Sequence, residues 1–286
     1  MGTSLKSKII YPIAGAVGNM LVFMQPKKAR QLSEHRMTLV HKNSKKMSLS
    51  ERLMRFALVK KLEKIENHEK IAEMNRNFWE SNKATDLFSE TESAFLNDFL
   101  PNCTFIFDLL DKELIDQPEK FQTLVEIGTG NGDVLNYLSS KFHQIDRFIG
   151  IDLSSHQVEI NKKKFSDNIK LEFVAADAFD WVKEHGCGNS IFVSSKGVLE
   201  YFVEQRLQEF LNIINQLGKT MFVAIEPNGA DHDFDTQPNT QLYGNEPSFS
   251  HNYPHLFKNA GFTLWHFSQQ TWPRGSDLQT FIGAKN

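Results

Sequence analysis

Between Leu124 and Leu135 the chain reads Leu-Val-Glu-Ile-Gly-Thr-Gly-Asn-Gly-Asp-Val-Leu: an apolar strand closed by an acid, three glycines at alternate positions, then an amphipathic segment. Glycine at such a turn permits positive φ and lets a ligand lie against bare backbone, so Glu126, Gly128, Gly130 and Gly132 form a cofactor cradle. A dinucleotide site wants G-x-G-x-x-G with a pyrophosphate on the helix N-terminus, and here position 133 is Asp. A carboxylate at the strand end repels phosphate. It suits instead a cofactor bearing an amino group and a sulfonium cation.

A second acid closes Phe148-Ile149-Gly150-Ile151-Asp152, at the distance past Gly132 expected of a ribose contact. A carboxylate accepts two hydrogen bonds from a cis-diol, and Leu153 beside it offers an apolar wall for a base. Capping of the helix after Asp152 is the competing role. Taken together, the glycine run and this acid resemble the first motifs of class I S-adenosylmethionine-dependent methyltransferases. The resemblance implies S-adenosyl-L-methionine as cofactor and adenine contacts at Asp177 and Ala178 after the third strand, where Asp177 could equally cap a short helix. It also implies backbone contacts at Gly197 and Val198 after the fourth strand. The N/D-P-P-Y/F motif of enzymes that methylate nucleobases or protein amides is absent there, which argues against DNA adenine or glutamine as acceptor. That strand also lacks the terminal aspartate of metal-dependent catechol-type enzymes, so no metal is required.

Methyl transfer from a sulfonium is an in-line displacement, so the protein must chiefly align nucleophile and methyl carbon and exclude water. A base helps where the acceptor is a hydroxyl. Candidates are Glu200 and Tyr201 after the fourth strand, and His251 ahead of the sixth. The run Asp231-His232-Asp233-Phe234-Asp235 has alternating metal-ligand types, but such acidic loop clusters are usually solvated.

These residues need a scaffold. Apolar runs bounded by turn residues predict strands over 123–127, 147–151, 170–174, 190–194, 220–225, 262–267 and 278–282, with helices between the first six. Such alternation means a mostly parallel, doubly wound, Rossmann-like α/β sheet of seven strands. The interval 268–277, with Pro273 and Gly275, is too short for a crossover, so the last two strands make an antiparallel edge hairpin. The segment 226–250 has few apolar residues and reads as a long loop. Upstream, Ser48 and Glu51 make a capping box, opening a long helix with Leu49, Leu53, Phe56, Val59, Leu62 and Ile65 on one face. A break falls near Phe78–Phe88, where Phe78 and Trp79 could close over the cofactor, and a second helical stretch starts near Thr91 and is punctuated by Pro101. The expected division is a basic arm over 1–46, a helical lid or extension over 47–118, and the cofactor-binding domain over 119–286.

The net charge of −3 hides an asymmetry: residues 1–70 hold 15 Lys/Arg against 5 Asp/Glu, a balance of +10. Such an arm can meet anionic lipid or pack on the acidic remainder; nucleic acid is the weaker option. The apolar run Ile9–Met24 is interrupted by Pro12, Gly15, Gly18 and Asn19 and falls short of the ~20 residues that span a bilayer. It reads as a monotopic or capping helix, with an organelle-targeting peptide as the weaker alternative. Cys103 and Cys187 have no ligand or disulfide spacing, which fits reduced thiols in a cytoplasmic, peripherally membrane-associated protein. Of the 24 phenylalanines most must be core, and a surplus on the arm and lid would suit an apolar or lipid-like acceptor. The expected activity is methyl transfer to O or N of a small molecule, with oligomeric state open. An aminopropyl-transferring enzyme of the same fold is disfavoured by the lack of an acidic polyamine motif. The contrasting class is a non-catalytic cofactor-binding protein that docks through its basic arm.

Overall fold

A computed structural model describes residues 11–34, 48–65, 67–81, 94–115, 120–243, 248–272 and 278–286. The chain divides into two compact units, one of residues 1–78 with 242–248 and one of residues 79–241 with 249–286.

The second unit is built on a seven-stranded sheet. Its strands are β1 (Thr123–Ile127), β2 (Arg147–Asp152), β3 (Leu171–Ala175), β4 (Ser190–Ser194), β5 (Thr220–Asn228), β8 (Thr263–Thr271) and β9 (Leu278–Lys285). They lie in the order β3-β2-β1-β4-β5-β9-β8. The first five are parallel, whereas β9 runs antiparallel to both β5 and β8. The mostly parallel sheet and its antiparallel edge hairpin are thus as expected, with β5, β8 and β9 each three residues longer. The segment 226–250 is less of a loop than expected: β5 continues to Asn228, and β6 (Gln241–Tyr243) pairs with β7 (Ser248–Ser250) in a separate two-stranded sheet. Three-residue strands carry too little alternation to be visible in sequence.

Period-two alternation sorts the strand residues onto two cores. On one face Val125, Ile127, Ile149, Ile151, Phe192 and Phe222 pack with α8 (Ala178–His185), α9 (Glu204–Gln216) and α10 (Tyr253–Asn259). On the other, Leu124, Phe148, Ile191, Val193, Val223 and Phe281 pack with α5 (Leu100–Ile115), α6 (Asp133–Lys141) and α7 (Ser155–Lys164). The stretch 100–115, assigned to the lid in sequence, is therefore a layer of this body, burying Cys103, Ile106, Phe107 and Leu110. Pro101 does not interrupt it, because proline is tolerated in a first helical turn, and a π-helical turn at Phe95–Phe99 leads in. Burial pushes the Cys103 thiol up to about 12.

The first unit contains α1 (Tyr11–Met24), α2 (Pro26–Glu34), α3 (Leu49–Ile65) and α4 (His68–Trp79), whose last residue, Trp79, falls in the second. The capping box is present: Ser48 Oγ accepts from Glu51 N at 3.3 Å, and Glu51 Oε2 accepts from Ser48 N at 2.7 Å. Hydrogen bonds from Lys28 and Ser48 hold the Glu51 carboxyl down at about 2. The buried stripe of α3 is rotated from the expected one. Met54 and Ala57 are buried while Leu49 is exposed, because Met54 meets Ala29 and Leu32 of α2 and Ala57 meets Gly18 of α1. The expected start near Thr91 lies outside the described residues, as does most of the break 78–88.

Candidate functional site

Strand order reverses at β1, between β2 and β4, and in open α/β sheets the crevice beyond the strand C-termini at such a point is where ligands bind. The sequence-named residues Glu126, Gly128, Gly130, Gly132, Asp152 and Leu153 fall at the ends of β1 and β2 or just past them. All three glycines of the turn have positive φ, +68°, +53° and +77° in order. They are there for different reasons. A Cβ on Gly128 would come within 2.4 Å of Val198 Cγ2, so this glycine lets the loop after β4 close against the end of β1. A Cβ on Gly132 would meet Phe165 at 2.7 Å, a core constraint.

The turn is fastened at several points. Thr129 N donates to Ile151 O at 2.9 Å, and Gly130 N donates to Asp152 Oδ2 at 2.9 Å. From α7, Asn161 Nδ2 donates to Gly130 O at 2.7 Å and is itself held by Gln157. Both oxygens of Asp152 serve backbone, since Oδ1 accepts from Ser154 N at 2.9 Å. Ser154, not Asp152, caps α7, accepting from Gln157 N. Each oxygen of Asp152 keeps a further lone pair for a ligand hydroxyl. Burial raises its carboxyl to about 6 against those backbone hydrogen bonds.

Glu126 is fully buried at the end of β1. Thr129 Oγ1 donates to its Oε2 at 2.7 Å, while Oε1 has no hydrogen-bond partner. Burial pushes this carboxyl up to about 7; the Ser195 and Thr129 hydroxyls oppose the shift and Asp152 reinforces it. A buried, half-satisfied carboxyl is costly unless a ligand completes it.

Asp177 caps α8, its Oδ1 accepting from Phe179 N at 2.9 Å, and it pairs with Arg206 at 3.0 Å. Ala178 is the first residue of that helix. Of the two roles weighed for Asp177, the helix cap is the one its hydrogen bonds make.

Past β4, Gly197 has φ +66° and a Cβ there would press on Glu200 Oε1 at 2.8 Å. Glu200 and Tyr201 lie on a 3-10 turn, Leu199–Tyr201, and Glu200 is buried. The Tyr201 ring is tilted against Trp79 with centroids 5.7 Å apart. Beneath them is a residue missed in sequence as a site residue. Glu226, fully buried in β5, accepts from the Ser194 hydroxyl, from Val198 N at 3.1 Å and from Leu199 N at 3.1 Å. Burial, with the charge of Glu200, raises Glu226 to about 8. Tyr253 is also buried, its hydroxyl has no hydrogen-bond partner, and burial together with the Glu226 and Glu200 charges lifts its pKa well above the ordinary value. The signal for Glu226 was the rule that found Glu126 and Asp152, an acid within the apolar end of a parallel strand.

His251 is not arranged as a base. It is fully buried, Nε2 donates to Phe202 O at 3.1 Å, and Nδ1 accepts from Thr240 Oγ1 at 2.7 Å. Burial lowers its pKa to about 4, so it is a neutral brace between two loops. In the acidic run, His232 spends its ring nitrogens on Ser250 Oγ and Gln237 O, both at 2.8 Å. Among the described residues no cluster of three or more His, Cys, Asp or Glu could hold a metal ion.

Residues 124–220 match the family described as a methyltransferase domain. A magnesium protoporphyrin IX methyltransferase from Synechocystis PCC 6803, solved with bound SAM, aligns with a TM-score of 0.51 at 11% identity, covering 76% of this chain and 97% of that one. A SAM-dependent methyltransferase from Aquifex aeolicus aligns with a TM-score of 0.50 at 14% identity, covering 71% and 97%. One from Leishmania major aligns with a TM-score of 0.50 at 13% identity, covering 76% and 82%. At these identities the structures attest the fold alone. No curated protein matches the chain.

Proposed function

We propose that the chain, whose residues 124–220 match a methyltransferase domain, is a class I S-adenosylmethionine-dependent methyltransferase and that it methylates an oxygen or nitrogen of a small metabolite. The observation that carries the reading is the pairing of a fully buried carboxyl, Glu126, with a half-buried one, Asp152, around a turn of three positive-φ glycines, with Glu126 Oε1 lacking a hydrogen-bond partner. A cationic amino group completes Glu126, a ribose diol completes Asp152, and the bare backbone of Gly128 to Gly132 admits close approach. Asp177 and Ala178 would face the adenine, Leu153 would wall it, and Gly197 would meet the methionine half. S-adenosylmethionine supplies an electrophilic methyl carbon on a sulfonium, open to in-line displacement.

The chain's own part is positioning. Glu226, by accepting from Val198 N and Leu199 N, fixes the segment that presents Glu200 and Tyr201. Acceptor binding is assigned to the ends of β4 and β5, where Glu200, Tyr201 and the unpartnered Tyr253 hydroxyl supply polar contacts and Trp79 an aromatic wall. The surrounding rings favour an apolar acceptor carrying one polar reacting group. Incubation with methyl-tritiated S-adenosylmethionine and fractionated small-metabolite and lipid extracts tests this. Labelled product that disappears with Asp152→Ala is expected. Cofactor binding without label in any fraction would favour a non-catalytic cofactor-binding protein.

A further inference from the structure

We infer that α1 is an interfacial helix that docks this protein on an anionic lipid surface, and that one defined face of it makes the contact. The helix has two unlike sides. Gly18 is buried, and a Cβ there would collide with Leu53 O and lie 2.9 Å from Ala57 Cβ of α3, while Gly15 faces Phe56. Small residues on this side let the two helix backbones approach closely. On the opposite side Ile13, Val17, Met20 and Met24 recur at helical spacing and are 60%, 40%, 59% and 63% exposed. Phe23, at its flank, is 86% exposed. The glycine side is consumed by α3, and the other side is a continuous apolar stripe in water.

Charge and length select the occupant. Residues 1–46 hold nine Lys/Arg and a single acid, Glu34. Lys27, Lys28 and Arg30 are exposed on α2, immediately after the stripe. An apolar stripe beside a strongly cationic segment complements a bilayer surface with anionic headgroups, where basic side chains stay at headgroup level while the stripe enters the acyl boundary. The helix cannot cross. Its 14 residues give a rod of about 21 Å against a hydrocarbon core of about 30 Å, and among the described residues no helix is long and apolar enough to span a membrane. It must lie flat, with α3 holding its glycine side away from lipid.

The test is co-sedimentation of the full chain with vesicles of phosphatidylcholine alone and of phosphatidylcholine mixed with phosphatidylglycerol, at low and high salt. Binding to the mixed vesicles that weakens with salt is expected, as is at least about tenfold weaker binding for Ile13→Glu with Met20→Glu. Both side chains are exposed, so thermal melting should be unchanged; Lys27→Glu gives a second variant that leaves the stripe and the Lys28–Glu51 ion pair intact and should also weaken binding. No binding to either vesicle would overturn the inference. So would undiminished binding of the Ile13→Glu, Met20→Glu chain, which would place the contact elsewhere. A dimer in light scattering that this variant dissolves would assign the stripe to a second copy instead. No outcome depends on methyl transfer, so the inference stands or falls apart from the proposed activity.

Discussion

Asp152 is the residue on which cofactor affinity should depend most. Its two oxygens hold Gly130 N and Ser154 N and retain lone pairs for a diol, and hydrogen bonds to a charged group are worth about 1.5–3 kcal/mol each. Asp152→Ala is expected to weaken S-adenosylmethionine binding by about 100-fold or more with the unfolding transition still cooperative; unchanged affinity in calorimetry would contradict the role. Glu126 should make the affinity pH-dependent. With folded-state values of about 7 for Glu126 and about 6 for Asp152, both carboxyls become full acceptors only as pH rises through those values. Affinity should therefore climb between pH 5 and 8, and Glu126→Gln should remove the upper part of the climb. These acids were legible in sequence because each closes an apolar run. Asn161 was not, because a side-chain bond to Gly130 O across 31 residues leaves no mark in local pattern. The hydrogen bonds of His251 were equally illegible, because its partners, Thr240 and Phe202, come from other segments.

At the scale of elements, the strands were legible wherever period-two alternation fed two cores, and the largest boundary differences are the longer C-terminal ends of β5, β8 and β9. The loop after β4 is seated by an absence, the missing Cβ of Gly128 that leaves room for Val198. Gly128→Ala puts a methyl 2.4 Å from Val198 Cγ2 at a φ of +68°, so it should cost about 1–3 kcal/mol in denaturant titration and displace the 197–201 segment. Gly128→Ala with Val198→Ala should recover part of the loss, which strain at φ alone would not permit. In the edge hairpin, the Trp265 ring lies 2.4 Å from where a Cβ on Gly283 would sit, beside a register shift between Leu264 and His266. Gly283→Ala is expected to lower the melting temperature by expelling the indole, read as a change in tryptophan emission. The rotated stripe of α3 was illegible because two helices divide its surface, and periodicity reports one apolar face at a time.

Across the whole molecule, the buried titratable groups set how stability follows pH. Glu126 and Glu226 hold protons in the folded chain up to about 7 and 8, whereas unfolded glutamates release them near 4.5. In that window the folded state binds more protons, so stability falls as pH rises. His251 acts from the other side: unfolded it takes a proton below about 6.5, folded only below about 4, so stability is lost as pH falls through that range. The two effects oppose each other below pH 6.5 and the acids act alone above it. Urea titrations of the cofactor-free chain should lose on the order of 2 kcal/mol from pH 6.5 to 8, and Glu226→Gln should flatten the slope. A stability that rises over this interval would contradict the burial of uncompensated carboxyls. The charge asymmetry between the ends of the chain was visible from composition, but its division at Phe78 was not, since that boundary falls within a helix.

The central claim is that the glycine turn and its two carboxyls hold a sulfonium nucleoside. Calorimetric titration of the full chain with S-adenosylmethionine, its demethylated product and a nicotinamide dinucleotide tests it most directly. Saturable micromolar binding of the two sulfur ligands, none of the dinucleotide, and loss of both with Asp152→Ala is the expected result. Binding of the dinucleotide, or of no ligand by a folded chain, would contradict it.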